Sequence, residues 1–268
     1  MFKIFRMHMY RVSRATSTYV LLGVLGASMF LCLILLFALY ENPLTAALSI
    51  SMSSTSLDFL HLSPPVVHLF FIQGSNTYLI LVTIFSVIFT NCDFTKGFAK
   101  NTYSMFDKRR PLVFAKWLAL VTCVTASYIV YSFLSLGLTA AAISAFESAY
   151  WTEYFVGFFV VYLCLISLVT MVFWITSLFK SPAGGMVIGI LIASGMFATV
   201  ELLLAALVAR TFHTDFNIAN YFLDYAFMSY NAGMGTLATV RTICVALAYM
   251  ALALTMSVFL SDRKDVRV

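Results

Sequence analysis

A chain of 268 residues that is 62% hydrophobic, 16% aromatic and only 10% charged has too little charge for a soluble globular domain. Its mean hydropathy of +0.96 is typical of a protein whose main solvent is lipid. The formal net charge of +5 is modest and gives no reason to invoke nucleic acid as a partner, since membrane topology alone concentrates cations on one face. The composition therefore predicts an all-α, multi-pass membrane protein.

The first segment, about residues 1–18, predicts a basic amphipathic helix that lies on the membrane surface. Its cations are Lys3, Arg6, Arg11 and Arg14. Its apolar side chains recur at three- and four-residue steps and gather on one helical face: Phe2, Phe5, Met9 and Val12. A plain positive flank of the first span is the alternative. A secretory signal peptide fits poorly, because the apolar run that follows is too long.

Apolar runs predict six transmembrane helices in one domain, since a bilayer core takes about 20 residues per helix. The predicted spans cover about residues 19–40, 66–90, 112–142, 154–178, 185–209 and 237–260. The polar run from Gln73 to Thr77 leaves the outer end of the second span open, either broken or beside water. Between the last two spans, the polar segment of about 210–236 is dense in aromatic residues, which favours short helices in the headgroup layer.

The distribution of cations predicts that both termini are cytoplasmic, because Lys and Arg concentrate on that face. With the N-terminus inside, the inner face collects the cations of segments 1–18, 91–111 and the tail 261–268, together with Lys116 and Lys180. Arg210 and Arg241 are left on the outer face. An even number of spans is consistent with this orientation.

One stretch, Asn91 to Pro111, is both long and charged although it lies between two apolar runs, and we call it the island. Its five cations are Lys96, Lys100, Lys108, Arg109 and Arg110. Three phenylalanines lie among them: Phe94, Phe98 and Phe106. Apolar anchors within an ionic rim are typical of a docking surface. We therefore expect the island to bind another protein; the alternative is a loop that only fixes orientation.

Sequence motifs for catalysis or metal binding are absent. The chain has no GxxxxGK[ST] phosphate-binding loop, no HExxH and no GxSxG motif. Its histidines, His8, His61, His68 and His213, and its five cysteines lack the spacing of metal ligands or of a disulfide framework. We therefore expect neither an enzyme nor a metal site in this chain.

Two charged residues within the predicted spans are candidates for a cargo path. Glu201 lies in the outer half of the fifth span, where a carboxylate is costly and faces a cavity, a partner or another subunit. It would line a path for cationic cargo or pair with Arg241 of the sixth span. The alternative is a glutamate close enough to the outer surface to be hydrated.

Small residues predict a close contact between helices. Gly23 and Ala27 in the first span, and Gly185 and Gly189 in the fifth, stand four residues apart, and Ala193 follows at the same step. Such steps allow backbones to approach. Spans one and five therefore form a hypothetical dimer seam, with contact inside a single bundle left open.

A pattern within and just after the island carries a family resemblance. An acidic residue stands four positions before a glycine, a Lys-Asn pair follows, then an arginine before the next span and a lysine in its first turns. The residues are Asp93, Gly97, Lys100, Asn101, Arg109 or Arg110, and Lys116. This pattern resembles the cytoplasmic segment of membrane subunits of type-2 ABC exporters, particularly small bacterial permeases for antimicrobial or cytolytic peptides. Asp93 replaces a usual glutamate, and Phe98 replaces a frequent threonine.

The resemblance implies that residues 91–108 form a coupling helix that docks on a separate ATPase subunit. The contact positions would be Asp93, Phe94, Lys96, Gly97, Phe98, Lys100 and Asn101. It also implies two ATPase subunits that bind ATP and Mg²⁺, no cofactor on this chain, and a second copy of the chain or a similar permease. The setting would be a bacterial cytoplasmic membrane, and the cargo a peptide or another lipophilic molecule exported by alternating access.

Two other functions stay open at the level of sequence. One is a peptide-immunity or sensing module of an ABC complex. The other is a secondary transporter driven by an ion gradient, which predicts inverted repeats that relate spans one to three with spans four to six. No such repeat is visible in the sequence.

Overall fold

The computed structural model describes residues 2–41, 63–74, 76–95, 110–143, 146, 149–179, 181–212, 218–231 and 233–263. Within these ranges the chain is helical and contains no strand. The all-α prediction is therefore confirmed for the described part of the chain.

The described residues form ten α-helices. They are α1 (Phe2–Arg14), α2 (Thr16–Glu41), α3 (Pro64–Leu69), α4 (Thr77–Thr95), α5 (Arg110–Ala142), α6 (Trp151–Phe179), α7 (Pro182–Ala193), α8 (Met196–Phe212), α9 (Leu223–Met228) and α10 (Thr236–Arg263). A π-helical turn, Phe70–Gly74, continues α3, and a 3-10 turn, Ile218–Tyr221, precedes α9. The polar segment before the last span thus contains short helices, as predicted.

Four of these helices, α2, α5, α6 and α10, are each long and apolar enough to cross a membrane. Two more crossings exist if bent pairs are counted: α3 with α4, bent by 52°, and α7 with α8, bent by 62°. The described residues therefore hold four to six candidate spans, which is compatible with a multi-pass membrane protein. The number six and the orientation of the termini stay predictions.

Helix α6 lies at the centre of the bundle, where α10, α4, α7 and α3 pack around it. Of its most apolar stretch, 61% is buried, against 28% for α2 and 22% for α10. The buried hydroxyl of Thr170 in this central helix is satisfied locally, because its Oγ1 donates to Ile166 O at 2.7 Å. Helices α2 and α10 expose most of their apolar surface at the flanks.

Helix α1 is separate from α2 and packs along the start of α5. An amphipathic N-terminal helix is present, and its position on the membrane surface stays a prediction. Phe5, Met9 and Val12 of the predicted apolar face pack on the core, but the buried face is rotated to leave out Phe2. Phe2 is 77% exposed, whereas Ile4, His8 and Val12 are buried. The face is set by the partner surface, since Ile4 packs against Leu112 and Ala115 of α5.

The glycine step of α7 contacts α4 and α6 of the same chain. A Cβ added at Gly185 would lie 2.8 Å from Thr176 Oγ1, and one added at Gly189 would lie 2.6 Å from Thr83 Cγ2. Both distances are shorter than an ordinary contact. Glycine is therefore required at both positions so that the helices can approach within the bundle.

This packing corrects half of the dimer-seam hypothesis. Gly185, Gly189 and Ala193 are buried inside the chain, so they are not available to a second copy. Gly23 and Ala27 are exposed on α2, and an added Cβ at Gly23 would meet no atom within 4 Å. A contact through α2 alone stays a prediction.

The second and fifth predicted spans are not continuous helices. One break separates the π-helical turn from α4 and includes Asn76, whose φ of 50° is left-handed. The other separates α7 from α8 at Gly195, with φ of 74°. Left-handed backbone ends a helix, and asparagine and glycine are the residues that adopt it most readily. The polar run at Gln73–Thr77 left a break at the first site as one of two alternatives, whereas the second break was not predicted.

Candidate functional site

The island lies between the end of α4 and the start of α5. Helix α4 continues to Thr95, so the backbone of Asp93 and Phe94 belongs to its last turn and not to a separate coupling helix. This corrects the predicted start of that helix at residue 91. The positions Lys96, Gly97, Phe98, Lys100 and Asn101 lie outside the described residues.

Lys116 of α5 joins the helices on both sides of the island. Its side chain is 9% exposed, and its Nζ donates to the backbone oxygen of Thr90 in α4 at 2.7 Å. Nζ also lies 5.9 Å from the centre of the Phe89 ring. A buried ammonium is costly unless it is paired, and a charge-assisted hydrogen bond near a helix C-terminus stabilises it.

The last turns of α4 are polar yet buried. Thr90 Oγ1 donates to Ser86 O at 2.6 Å, and Asn91 Nδ2 donates to Val87 O at 3.3 Å. These side chains bond the carbonyls of their own helix. As a result, the end of α4 that precedes the island is packed into the bundle.

Helix α1 completes this region, which we call the base: α1, the last turns of α4 and the first turns of α5. The His8 side chain is 2% exposed, and its ring centre lies 6.1 Å from that of Phe89 in an edge-on contact. Ile4 packs on Leu112 on the other side. The base therefore joins three elements at one end of the bundle, on the side where the island begins and ends.

The predicted pair of Glu201 and Arg241 does not form. Glu201 Oε2 instead accepts a hydrogen bond from the Tyr225 backbone N–H at 3.1 Å. Arg241 Nε is buried and has no hydrogen-bond partner. Glu201 thus binds the first turn of α9, because a carboxylate satisfies the open N–H groups there.

A second carboxylate, Asp224, was missed at the level of sequence. Its Oδ2 accepts from the Ala198 backbone N–H at 2.9 Å, in the first turn of α8. Burial, and then the negative charge of Glu201, raise the pKa of Asp224 to about 7 from its ordinary value of 3.8. Each acid therefore caps the helix that carries the other. The only signal was an acid between apolar residues in an aromatic segment.

The two helix breaks meet each other and α9, and we call this region the break junction. Asn76 Nδ2 donates to Ser194 O at 3.5 Å, and Gln73 Nε2 donates to Phe227 O at 2.7 Å. The break in α3–α4 therefore contacts both the break in α7–α8 and the end of α9. Sequence patterns did not indicate that these segments are neighbours.

His68 belongs to an aromatic core beside the break junction. Its Nε2 lies 2.9 Å from the Tyr128 hydroxyl, which donates to Phe158 O at 2.8 Å. Because the single Tyr128 proton is used on Phe158, Nε2 carries a proton and donates to Tyr128. Among the described residues no group of three His, Cys, Asp or Glu side chains is placed to hold a metal ion.

The geometry thus provides two polar regions at the two ends of α4. At the base, a buried lysine joins the helices that flank the island. At the break junction, side chains satisfy backbone groups of the interrupted helix α7–α8 and of α9. Comparison with family models, curated proteins and solved structures gave no match for this chain.

Proposed function

We propose that this chain is the permease subunit of an ATP-driven exporter of the type-2 ABC class. It moves a peptide or another lipophilic cargo outward by alternating access, powered by two separate ATPase subunits. A second copy or a similar permease completes the membrane unit. The chain crosses a bacterial cytoplasmic membrane six times, with both termini in the cytoplasm.

The observation that carries this proposal is the bond from Lys116 Nζ to Thr90 O. It joins α4 and α5 at the point where the island leaves one helix and enters the other. A force that a docked ATPase exerts on the island therefore acts on both helices together.

The charge pattern of the base supports the same orientation. Helix α1 carries four cations and no carboxylate, and it packs on the end of α4 and the start of α5. The island adds five cations on that side. A single strongly positive end agrees with a cytoplasmic face.

The test is reconstitution with a candidate ATPase. The two proteins are co-purified and placed in nanodiscs, and ATP hydrolysis is measured with a panel of peptides and lipids. Asp93→Ala and Lys100→Ala should weaken association or uncouple hydrolysis while insertion stays normal. Lys3→Ala, which removes an exposed cation of α1, is the matched control. Unchanged association and coupling in both island variants would refute the docking role.

A peptide-immunity or sensing module of the same complex differs in one measurable respect. Peptide would then stimulate ATP hydrolysis by the ATPase without net movement of the peptide into proteoliposomes. Transport of labelled peptide, measured beside hydrolysis in the same preparation, separates this alternative from an exporter.

One observation favours a secondary transporter as the second candidate. The two broken helices are predicted spans two and five, which hold the same middle position in the first and the second set of three spans. Asn76 at one break contacts Ser194 at the other. Interrupted helices in corresponding positions of two halves are typical of secondary transporters, which bind substrate there. Uptake driven by an ion gradient in proteoliposomes that contain this chain alone would replace the exporter proposal.

A further inference from the structure

A cavity of about 500 Å³ lies between α1, α2, α4 and α5. Its walls are almost entirely apolar and include Leu25, Gly26, Met29, Val82 and Phe85. The volume is within the range of about 300–1,000 Å³ that ligand sites in proteins occupy. None of its lining residues belongs to the bonds of the break junction or of the base, and neither proposed transport mechanism uses it.

The apolar walls of the cavity favour a hydrocarbon ligand over water or a polar molecule. Two hydroxyls of α5 in the lining are engaged by their own helix: Thr122 Oγ1 donates to Leu118 O and Ser127 Oγ to Val124 O, both at 2.8 Å. The Tyr131 hydroxyl is buried without a hydrogen-bond partner. A single unpaired hydroxyl is not enough to bind an ordered water molecule, which needs two to four polar partners.

The cavity opens sideways between α2 and α5. Three of its lining residues are also exposed on the outer surface of the bundle: Leu22 at 50%, Val130 at 63% and Leu134 at 49%. Both helices are candidate membrane spans. The opening therefore faces the lipid hydrocarbon, and a chain enters it without crossing water.

One end of the cavity is formed by the basic helix α1. Met9 and Val12 of α1 and Thr18 of α2 line it there. Helix α1 has no carboxylate, and Arg14 is exposed at the turn between the two helices, 5.0 Å from the Tyr10 ring centre. An anionic headgroup is favoured beside such cations.

We propose that this cavity binds one acyl chain of an anionic phospholipid, with the headgroup at Arg14. The chain enters between α2 and α5 and packs against the apolar walls. The proposal requires the protein to be embedded in a bilayer but does not rest on an ATPase partner or on any cargo. The acyl chain would hold α2 against the rest of the bundle, since only 28% of the apolar stretch of α2 is buried by protein.

The experiment uses the full chain in nanodiscs that contain phosphatidylglycerol with a photoactivatable group near the end of one acyl chain. After irradiation, mass spectrometry maps the labelled peptides. We expect labelling at the buried lining residues Met29 of α2 and Val124 of α5, which are each 1% exposed and which bulk lipid does not reach. Gly26→Leu should abolish it, because Gly26 lines the cavity and an added Cβ meets no atom within 4 Å.

Gly23→Leu is the matched control, because Gly23 is on the same helix, has equal room and does not line the cavity. Its labelling should equal that of the wild type. If Gly26→Leu fails to fold, Ala126→Leu fills the cavity from the α5 wall. Unchanged labelling at Met29 and Val124 in a folded filling variant would overturn the proposal.

The headgroup is tested by the same label on phosphatidylcholine. Phosphatidylglycerol should label the cavity more strongly, and Arg14→Gln should remove the difference between the two lipids. Equal labelling by both lipids in the wild type would overturn the assignment of an anionic lipid.

Discussion

The contact between α7 and α4 predicts a specific cost for a single methyl group. In Gly189→Ala the new Cβ would lie 2.6 Å from Thr83 Cγ2, about 1 Å closer than an optimal carbon–carbon contact. Thr83 is β-branched and has little freedom to rotate in a helix. Overpacking of this kind costs about 1–3 kcal/mol, which lowers the apparent melting temperature by roughly 2–12 °C for a chain of this size.

The assay is thermal unfolding in detergent, with Gly23→Ala as the control because its Cβ meets nothing within 4 Å. Thr83→Ser removes the clashing methyl group and keeps the hydroxyl, so it should rescue Gly189→Ala. If Gly189→Ala melts as Gly23→Ala does, or costs the same in the Thr83→Ser background, then α7 does not pack on α4 in this way. A seam between two copies would then regain support.

Two further predictions concern the base and the break junction. Lys116→Met keeps the apolar stem but removes the donor to Thr90, so amide hydrogen exchange at the end of α4 should accelerate by the equivalent of about 1.5–3 kcal/mol. Lys3→Met is the exposed control, and equal exchange in both variants would contradict the bond. Because the folded protein retains the Asp224 proton up to about pH 7, stability should fall as pH rises from about 4 to about 7, by at most about 1.4 kcal/mol per unit. Asp224→Asn should flatten this profile in thermal melts at graded pH, and a profile that keeps its slope would exclude Asp224 as its source.

The sequence predicted the helices and their apolar lengths because hydropathy reports directly on the surrounding solvent. It also predicted the amphipathic α1, since a period of 3.6 residues is a local property. It did not predict that Ile4 and His8 belong to the buried face of α1 and that Phe2 does not. That face depends on Leu112 and Ala115, more than a hundred residues away.

The same contrast between local properties and distant contacts holds for the site residues. Lys116 stood out in the sequence as a cation inside a span. Its partner is the backbone oxygen of Thr90, and a backbone acceptor leaves no pattern in the sequence because every residue has one. Glu201 was likewise recognised, but a backbone N–H was not among the alternatives considered for it, of which a pair with Arg241 was one. The real partner is the N–H of Tyr225 at a helix start that the sequence did not delimit.

Helix breaks inside a membrane protein require explanation, because lipid offers no hydrogen bonds to the freed backbone groups. Here side chains from other segments satisfy the backbone of the α7–α8 break, and the polar side chains of the α3–α4 break bond the carbonyls of neighbouring segments. Gln73 bonds Phe227 O, Asn76 bonds Ser194 O, and Asp224 bonds the Ala198 N–H. The short helix α9 therefore contacts both breaks and satisfies the start of α8 after the second one.

Helix α4 connects the break junction with the base. It has 19 residues, from Thr77 to Thr95, and at 1.5 Å per residue it spans about 28 Å. Its first turn follows the contact of Asn76 with Ser194, and its last turns hold the bond of Thr90 to Lys116. In an ATP-driven exporter, movement passes along α4 from the base to the break junction. In a gradient-driven transporter, binding at the break junction would move the base. A reporter pair that spans the base of the purified chain therefore separates the two, since only the second mechanism predicts a change on adding ions without an ATPase.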